Sequence, residues 1–147
     1  LYPHLEAKAA GYPVELYLDA KEHKWIEEFA TSNFLGITKD GKYVTAKSGS
    51  ILPSITNLTL QQIARDNGIP VEVRPIAFEE VTEFAEVAAC GTAVVVTPVS
   101  EIERAGTVYK TGPATGCGPV LEKLYKTVQG IQYGELPDTH GWNVEVE

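Results

Sequence analysis

The sequence predicts one mixed α/β domain that begins with antiparallel strands and continues with alternating helices and strands. The chain has 147 residues, of which 44% are hydrophobic and 22% charged, and this suffices for one domain with a core. Its first part alternates apolar and polar residues as strands do, whereas later segments repeat apolar residues at helical spacing. Neither an internal repeat nor a low-complexity linker divides residues 1–147.

The first part of the chain is typical of a helical end followed by a four-stranded meander. Residues 2–11, YPHLEAKAAG, resemble the tail of a longer amphipathic helix, and the chain starts on Leu1 and contains no Met. We therefore expect a fragment of a larger protein. Asp40 and Gly41 supply hairpin-turn chemistry between the last two strands. The predicted strands are residues 13–19, 25–31, 33–39 and 43–47.

Beyond residue 50 the apolar spacing changes to that of helices separated by strands. Thr56 is a candidate N-cap for a helix over residues 57–68, and Gly68 is suited to end that helix. The remaining predicted elements are a strand over 69–76, a short helix over 77–87, an apolar strand over 91–99 that is covered on both faces, and an amphipathic helix over 120–134.

Charge and composition exclude several classes of function. A formal charge of −8 with only three scattered arginines argues against nonspecific nucleic-acid binding, which needs clustered cations. No apolar run is long enough for a membrane helix, so we expect a soluble, cytoplasmic protein without a membrane partner. Cys90 and Cys117 lie far apart without a CxxC motif, and the three histidines have no paired spacing, so no metal site is predicted.

Three stretches contain residues suited to chemistry, and each also has a purely structural explanation. Glu27 and Glu28 stand among apolar strand residues, where an acid needs a cationic partner or an exposed position. Thr56 lies where a helix begins, a place that binds phosphate or carboxylate groups but also needs ordinary capping. Gly91 and Thr92 allow a close backbone approach to a ligand, or simply a kink in a strand.

Four segments together resemble one enzyme family in order and over essentially the whole chain. They are EEFATSNFLGI (27–37), SILPSITN (50–57), CGTAVVVTPV (90–99) and YGELPDTHGW (133–142). These resemble the large domain of branched-chain amino acid aminotransferases, pyridoxal 5'-phosphate enzymes of fold type IV. The same fold type includes D-amino acid aminotransferase and aminodeoxychorismate lyase. The resemblance implies a barrel-like large domain of the D-amino acid aminotransferase-like fold, with a mixed sheet and flanking helices over residues 1–147.

The resemblance also implies a cofactor site and a substrate site. The family's glutamate five residues before the Asn of its motif contacts the pyridine nitrogen of the cofactor, and this position is Glu28. Ile55, Thr56 and Thr92 match residues that hold the cofactor phosphate. The amides of Thr92 and Ala93 match the place that receives the substrate carboxylate.

Thr31 and Ser32 would then lie beside the substrate side chain, and Glu27 would face solvent. The implied ligands are branched-chain amino acids and 2-oxo acids, and the relatives implied by the resemblance are homodimers.

One departure from the family concerns its Schiff-base lysine, which lies in a K-x-G-G-N-Y stretch absent from this sequence. The nine lysines present all stand in polar turns, at strand ends or on helix faces, so none is a candidate to replace it. We therefore expect a large domain truncated at its N-terminus, without the family's small N-terminal domain and with the lysine upstream of Leu1. We expect no catalytic residue in this chain and no activity of the chain alone.

Three functions remain open at this point. The first is a branched-chain aminotransferase that moves the amino group of L-leucine, L-isoleucine or L-valine to 2-oxoglutarate. The second is another member of the fold type, a D-amino acid aminotransferase or a lyase similar to aminodeoxychorismate lyase. The third is a non-catalytic binding or assembly module.

Overall fold

The computed structural model describes residues 2–147, which contain three α-helices, one 3₁₀ helix and ten strands. None of the helices among these residues is long and apolar enough to span a membrane. The helices are Tyr2–Ala9 (α1), Ile55–Asp66 (α2) and Pro119–Gln132 (α3), with the 3₁₀ helix at Phe78–Glu83. The strands are Leu16–Leu18 (β1), Trp25–Phe29 (β2), Ser32–Thr38 (β3), Tyr43–Ala46 (β4), Val71–Arg74 (β5), Ile76–Ala77 (β6), Phe84–Cys90 (β7), Val96–Val99 (β8), Glu101–Arg104 (β9) and Thr107–Lys110 (β10).

Strands β1 to β8 form one sheet with β3 at its centre. On one edge, β3 pairs antiparallel with β7 from Asn33 to Thr38. On its other edge, β3 pairs first with the end of β2 and then with β4. The start of β2 instead pairs antiparallel with β6. The predicted antiparallel meander of the first four strands is confirmed by these pairings.

A parallel crossover sets the position of α2 relative to this sheet. The chain leaves β4, passes through α2 and returns as β5, which pairs parallel with β4. Residues 47–54 therefore lead from the carboxyl end of β4 directly to the first turn of α2. Because β3 runs antiparallel to β4, this end of the sheet also contains the start of β3 and the ends of β2 and β7.

The two faces of the sheet pack into two separate apolar clusters, as alternation along the strands requires. Leu35 and Ile37 of β3 face α2 and α3 in the first cluster, which we call the helix-side core. Phe34, between Asn33 and Leu35 on the same strand, faces the opposite way into the second cluster, the phenylalanine core. In that core the Phe34 ring lies 5.8 Å from Phe29 and 5.9 Å from Phe84, measured between ring centroids.

Two predicted elements of the second half are wrong in their extent. Helix α2 begins at Ile55, and its N-cap is Ser54, whose Oγ accepts a hydrogen bond from the Asn57 N–H at 3.1 Å. Ser54 has an extended backbone, so Thr56 lies inside the first turn and is not the cap. The apolar strand predicted over 91–99 begins only at Val96. Its Thr97 is exposed, so the prediction that this strand is covered on both faces is also wrong.

The helix predicted over residues 77–87 is also wrong, because the chain forms the 3₁₀ helix and then β7 there. Pairing along the full length of β3 stabilises this segment as a strand and overrides its helical apolar spacing. The hairpin of β9 and β10 was not predicted from the sequence. Helices α1 and α3 lie where the sequence predicts helices.

Candidate functional site

Glu28 lies near the end of β2, directly opposite Asn33 on β3. The Glu28 carboxylate is half-buried, and its Oε2 accepts a hydrogen bond from Asn33 Nδ2 at 3.4 Å. Asn33 is 6% exposed, and the same Nδ2 donates to the carbonyl oxygen of Leu52 at 3.1 Å. One amide therefore joins the acid on β2 to the loop that precedes α2.

Glu27, the residue before Glu28 on β2, has a partner of its own in the loop after β4. Its Oε1 accepts a hydrogen bond from Ser48 Oγ at 3.0 Å, and the residue is half-buried. The prediction that Glu27 simply faces solvent is therefore wrong, because the loop after β4 covers it.

The two acids of this strand form no ion pair with a cation of residues 2–147. The ion pairs of lysine and arginine in that range join other acids, such as Lys42 with Glu72, and none includes Glu27 or Glu28. A partly buried carboxylate without a cationic partner can accept a hydrogen bond from a positively charged group that binds beside it. Glu28 therefore fits a ligand that carries a protonated nitrogen.

The first turn of α2 offers backbone donors at the same end of the sheet. The first N–H groups of a helix have no intrahelical partner, and Ser54 satisfies only that of Asn57. The N–H groups of Ile55 and Thr56 remain, at the positive end of the helix dipole. The Ile55 side chain is 83% exposed, so Ile55 can contribute through its backbone, while Thr56 is half-buried. This arrangement fits an anionic group such as a phosphate.

A buried polar network fixes the first turn of α2 to the sheet. Asn57 Oδ1 accepts a hydrogen bond from the Tyr43 hydroxyl at 2.6 Å, and Asn57 Nδ2 donates to Thr45 Oγ1 at 2.9 Å. Thr45 Oγ1 in turn donates to the Phe34 carbonyl at 2.8 Å. Burial raises the pKa of Tyr43 well above its ordinary value, so the hydroxyl stays a donor. The backbone donors of α2 are therefore held in a fixed place.

The third predicted segment contacts the turn between β2 and β3. A Cβ added to Gly91 would lie 3.6 Å from Ser32 Cβ and 3.9 Å from the Thr31 carbonyl oxygen. The loop that follows closes through a hydrogen bond from the Gly91 N–H to the Val95 carbonyl at 3.4 Å. Thr31, Thr92 and Ala93 are exposed on this rim, and Ser32 is half-buried.

The structure thus brings the predicted residues to one end of the sheet in two groups. Glu28 lies opposite Asn33, which follows Ser32, and Asn33 pairs with Cys90, after which the chain continues to Thr92 and Ala93. Ile55 and Thr56 connect to this group only through the Leu52 carbonyl and the Asn33 amide. Within residues 2–147, no hydrogen bond joins Thr56 or Thr92 to Glu28.

Sequence reasoning missed Asn33, Asn57 and Tyr43 as contributors to this site. Asn33 was used only as a marker for counting to Glu28, although an Asn at a buried strand position is itself a signal. Asn57 is the third residue of α2. Tyr43 and Thr45 are two residues apart on β4, so their side chains lie on the same face of the strand. Those two patterns could have indicated a polar contact between strand and helix.

Several known proteins are similar to this chain in sequence. The family model described as amino-transferase class IV matches residues 1–102. The chain is 42% identical to the branched-chain-amino-acid aminotransferase of Haemophilus influenzae, with 100% of this chain and 45% of that protein covered. It is 40% identical to transaminase htyB of Aspergillus rugulosus, with 95% and 39% covered. The chain therefore spans less than half the length of these curated relatives.

Solved structures match the fold over nearly the whole chain. The branched-chain amino acid aminotransferase of Escherichia coli superposes with a TM-score of 0.85 at 30% identity, covering 97% of this chain and 45% of that one. The branched-chain amino acid aminotransferase of Thermobaculum terrenum in its PLP-form gives 0.77 at 29%, with 90% and 41% covered. The predicted mixed α/β architecture of fold type IV is confirmed. With this fold and the match over residues 1–102, the chain belongs to the class IV aminotransferase family.

Proposed function

We propose that residues 1–147 are the cofactor-binding large domain of a pyridoxal 5'-phosphate-dependent branched-chain aminotransferase. The complete protein would move the amino group of L-leucine, L-isoleucine or L-valine to 2-oxoglutarate. One observation carries the proposal: Glu28, a half-buried acid without a cationic partner among residues 2–147, shares one end of the sheet with the N-terminus of α2. A ring with a basic nitrogen at one end and a phosphate at the other matches that pair of charges.

Each residue then has a specific task. Glu28 holds a proton on the pyridine nitrogen by accepting its hydrogen bond. The N–H groups of Ile55 and Thr56, together with the Thr56 and Thr92 hydroxyls, bind the phosphate. When bound, the cofactor supplies an electron sink for negative charge developing at the substrate α-carbon.

The substrate is positioned by the rim of the site. The amides of Thr92 and Ala93 bind its carboxylate, and Thr31 and Ser32 lie beside its side chain. The pairing of Asn33 with Cys90 supports this arrangement, because it places the residues before Asn33 and those after Cys90 at the same end of neighbouring strands.

The chain alone is proposed to be inactive, because the K-x-G-G-N-Y stretch with the family's Schiff-base lysine does not occur in residues 1–147. The nine lysines include none in the contacts that surround Glu28. The complete protein is proposed to be a cytoplasmic homodimer, on the strength of the family resemblance.

A cofactor titration tests the proposal. Pyridoxal 5'-phosphate is added to the 147-residue chain and to the complete gene product that contains it, and absorbance is read with and without borohydride. The gene product should turn yellow and trap the cofactor covalently, while the short chain does neither. Covalent trapping by the short chain would place the nucleophile among its own lysines and overturn the site assignment.

Matched acid variants locate the binding residue within the gene product. Glu28→Gln removes the charge proposed to meet the ring nitrogen and should weaken cofactor binding about 10- to 100-fold, typical of losing a charged hydrogen bond. Glu27→Gln is the control, because it changes the neighbouring acid, whose hydrogen-bond partner is Ser48 and not Asn33. Equal losses in the two variants would contradict the role of Glu28.

Substrate assays then separate the members of the fold type. The gene product is assayed with L-leucine, D-alanine and aminodeoxychorismate. Turnover of L-leucine with 2-oxoglutarate supports the proposal, whereas turnover of D-alanine or aminodeoxychorismate alone would replace it with one of the other activities.

A further inference from the structure

Asn33 is an unusual residue for its position in the sheet. It lies at the start of the central strand, is 6% exposed, and precedes the fully buried Phe34 and Leu35. Asparagine is disfavoured in strands, and a buried amide is costly unless its hydrogen bonds are made. The residue at this position therefore has a specific task to perform with its amide.

Both contacts of the Asn33 Nδ2 lead to the candidate site. One is the Glu28 Oε2 at 3.4 Å, and the other is the Leu52 carbonyl at 3.1 Å. The contact with Glu28 is long, so it orients the carboxylate without neutralising it. In the described residues no donor reaches the other oxygen, Oε1, which leaves it free for a ligand.

The contact with Leu52 positions the other half of the site. Leu52 is followed by Pro53, whose ring restricts the backbone, and then by Ser54, the N-cap of α2. A shift of the Leu52 carbonyl would therefore move the first turn of the helix and its free N–H groups. Asn33 therefore joins the acid to the loop that leads into α2, in addition to the Asn57 network that fixes the first turn of the helix to the sheet.

We propose that Asn33 is a positioning residue that sets the separation between the Glu28 carboxylate and the N-terminus of α2. This inference rests on the proposed function, because it assumes a ligand with a cationic ring nitrogen at one end and a phosphate at the other. Such a ligand gains from the correct separation, since both ends then bind without strain. A ligand with only one of these groups gains nothing from it.

This difference gives a test that a merely structural role would not satisfy. Dissociation constants are measured for three probes with the gene product that contains this chain: pyridoxamine 5'-phosphate, benzyl phosphate and pyridoxine. The first carries both groups, the second only the phosphate and the third only the ring nitrogen. None of them carries an aldehyde, so the readout is independent of any lysine and of turnover.

Asn33→Ala should weaken pyridoxamine 5'-phosphate binding about tenfold, typical of one lost buried hydrogen bond, and the one-ended probes less than about twofold. A second variant, Asn33→Thr, keeps a strand-forming residue whose short hydroxyl side chain cannot reach both acceptors, and it should give the same pattern. In the Glu28→Gln background, Asn33→Ala should cost much less. Thermal unfolding of each variant checks that the fold is retained.

The outcomes separate the inference from the function on which it rests. An equal loss of affinity for benzyl phosphate and pyridoxamine 5'-phosphate would mean that Asn33 only stabilises the loop before α2. This result would overturn the inference. Unchanged affinity for all probes in both variants would overturn it as well. The proposed function and the inference would both be overturned if the unsubstituted protein did not bind pyridoxamine 5'-phosphate. The same would follow if Glu28→Gln left the affinity for this probe unchanged.

Discussion

Glu86 is a carboxylate in the middle of β7, and it is 3% exposed. Its two oxygens accept hydrogen bonds from the Val120 and Leu121 N–H groups, each at 3.2 Å. These are the first N–H groups of α3. The N-cap of this helix is Gly118, which has no side chain that could accept hydrogen bonds from them. A Cβ on Gly118 would collide with the Glu86 carboxylate, so the glycine is what gives the acid access. A residue on a distant strand thus caps the helix.

Glu86 predicts a pH dependence of stability. Burial raises the pKa of Glu86 above its ordinary value of 4.5, outweighing the two backbone hydrogen bonds, which lower it. The folded state therefore binds this proton more tightly than the unfolded chain does. The contribution is fully present below about pH 4.5 and is lost as the pH rises through the folded pKa. Glu86→Gln should remove this part of the pH dependence in urea unfolding measured from about pH 4 upward.

A surface acid of the same helix provides the control for this experiment. The pKa of Glu122 is lowered by its hydrogen bond with Lys126, 2.8 Å away. Its contribution has the opposite sign, being present above about pH 4.5 and lost as the pH falls. If Glu86→Gln and Glu122→Gln changed the pH profile in the same direction, the assignment of Glu86 would be wrong.

At the scale of elements, local spacing predicted α2 and α3 well, but it also predicted a helix over residues 77–87, where the chain forms the 3₁₀ helix and β7. The apolar stripes of α2 and α3 repeat within the helix itself, so a single segment contains the whole signal. Phe78, Val81, Phe84 and Val87 also repeat every three residues, which indicated a helix. The end of this segment forms β7 instead, because it pairs with the free edge of β3. The residues of the segment itself contain no signal that a distant strand needs a partner.

The hairpin of β9 and β10 shows a second limit of local signals. Its turn residues, Ala105 and Gly106, have φ angles of +51° and +80°, the conformation of a two-residue type I′ turn. Asn-Gly would have predicted this turn, but alanine is rare in the left-handed region and gives no such signal.

The site was predictable to the extent that it resembles a family. The family motifs predicted Glu28 and Thr56 as site residues, and both lie at one end of the sheet. Asn33 and Asn57 were not, because their partners lie 19 and 12 residues away and meet only in the folded chain.

The centre of β3 allows a test of how the strand packs. A Cβ on Gly36 would lie 2.7 Å from Phe84 Cδ1 and Cε1, in the phenylalanine core. Gly36→Ala should therefore lower the free energy of unfolding by about 1–3 kcal/mol, the usual cost of overpacking. Denaturant unfolding measures it, with Gly49→Ala as control, since nothing lies within 4 Å of a Cβ there. A loss of the same size in both variants would contradict this packing.

At the scale of the whole molecule, the C-terminal segment folds back over the helices. His140 Nε2 lies 2.6 Å from Asp66 Oδ2 of α2, and Asn143 Nδ2 donates to the Ile131 carbonyl of α3 at 2.6 Å. The His140 ring also stacks on Trp142, 4.5 Å away between centroids. These contacts border a cleft of about 660 Å³ between α2 and α3. The segment therefore connects the ends of two helices that lie far apart in the sequence.

Removing the histidine should release this segment. In His140→Ala, hydrogen–deuterium exchange of residues 138–143 should accelerate several-fold, because the contact with Asp66 that holds the segment is lost. His4→Ala is the control, since that exposed histidine pairs with Glu15 elsewhere on the molecule. Unchanged exchange in His140→Ala would mean that Trp142 and Asn143 hold the segment without it.

The division of the interior by the sheet has a consequence for how the protein can be altered. The phenylalanine core and the helix-side core share backbone but lie on opposite faces, so a change of side-chain volume in one has no direct contact with the other. Only the helix-side core supports α2, through Leu60 and Ile63. In directed evolution for thermal stability, substitutions around Phe34 should therefore be tolerated without disturbing the candidate site. Substitutions of the residues beneath α2 should be tolerated less often.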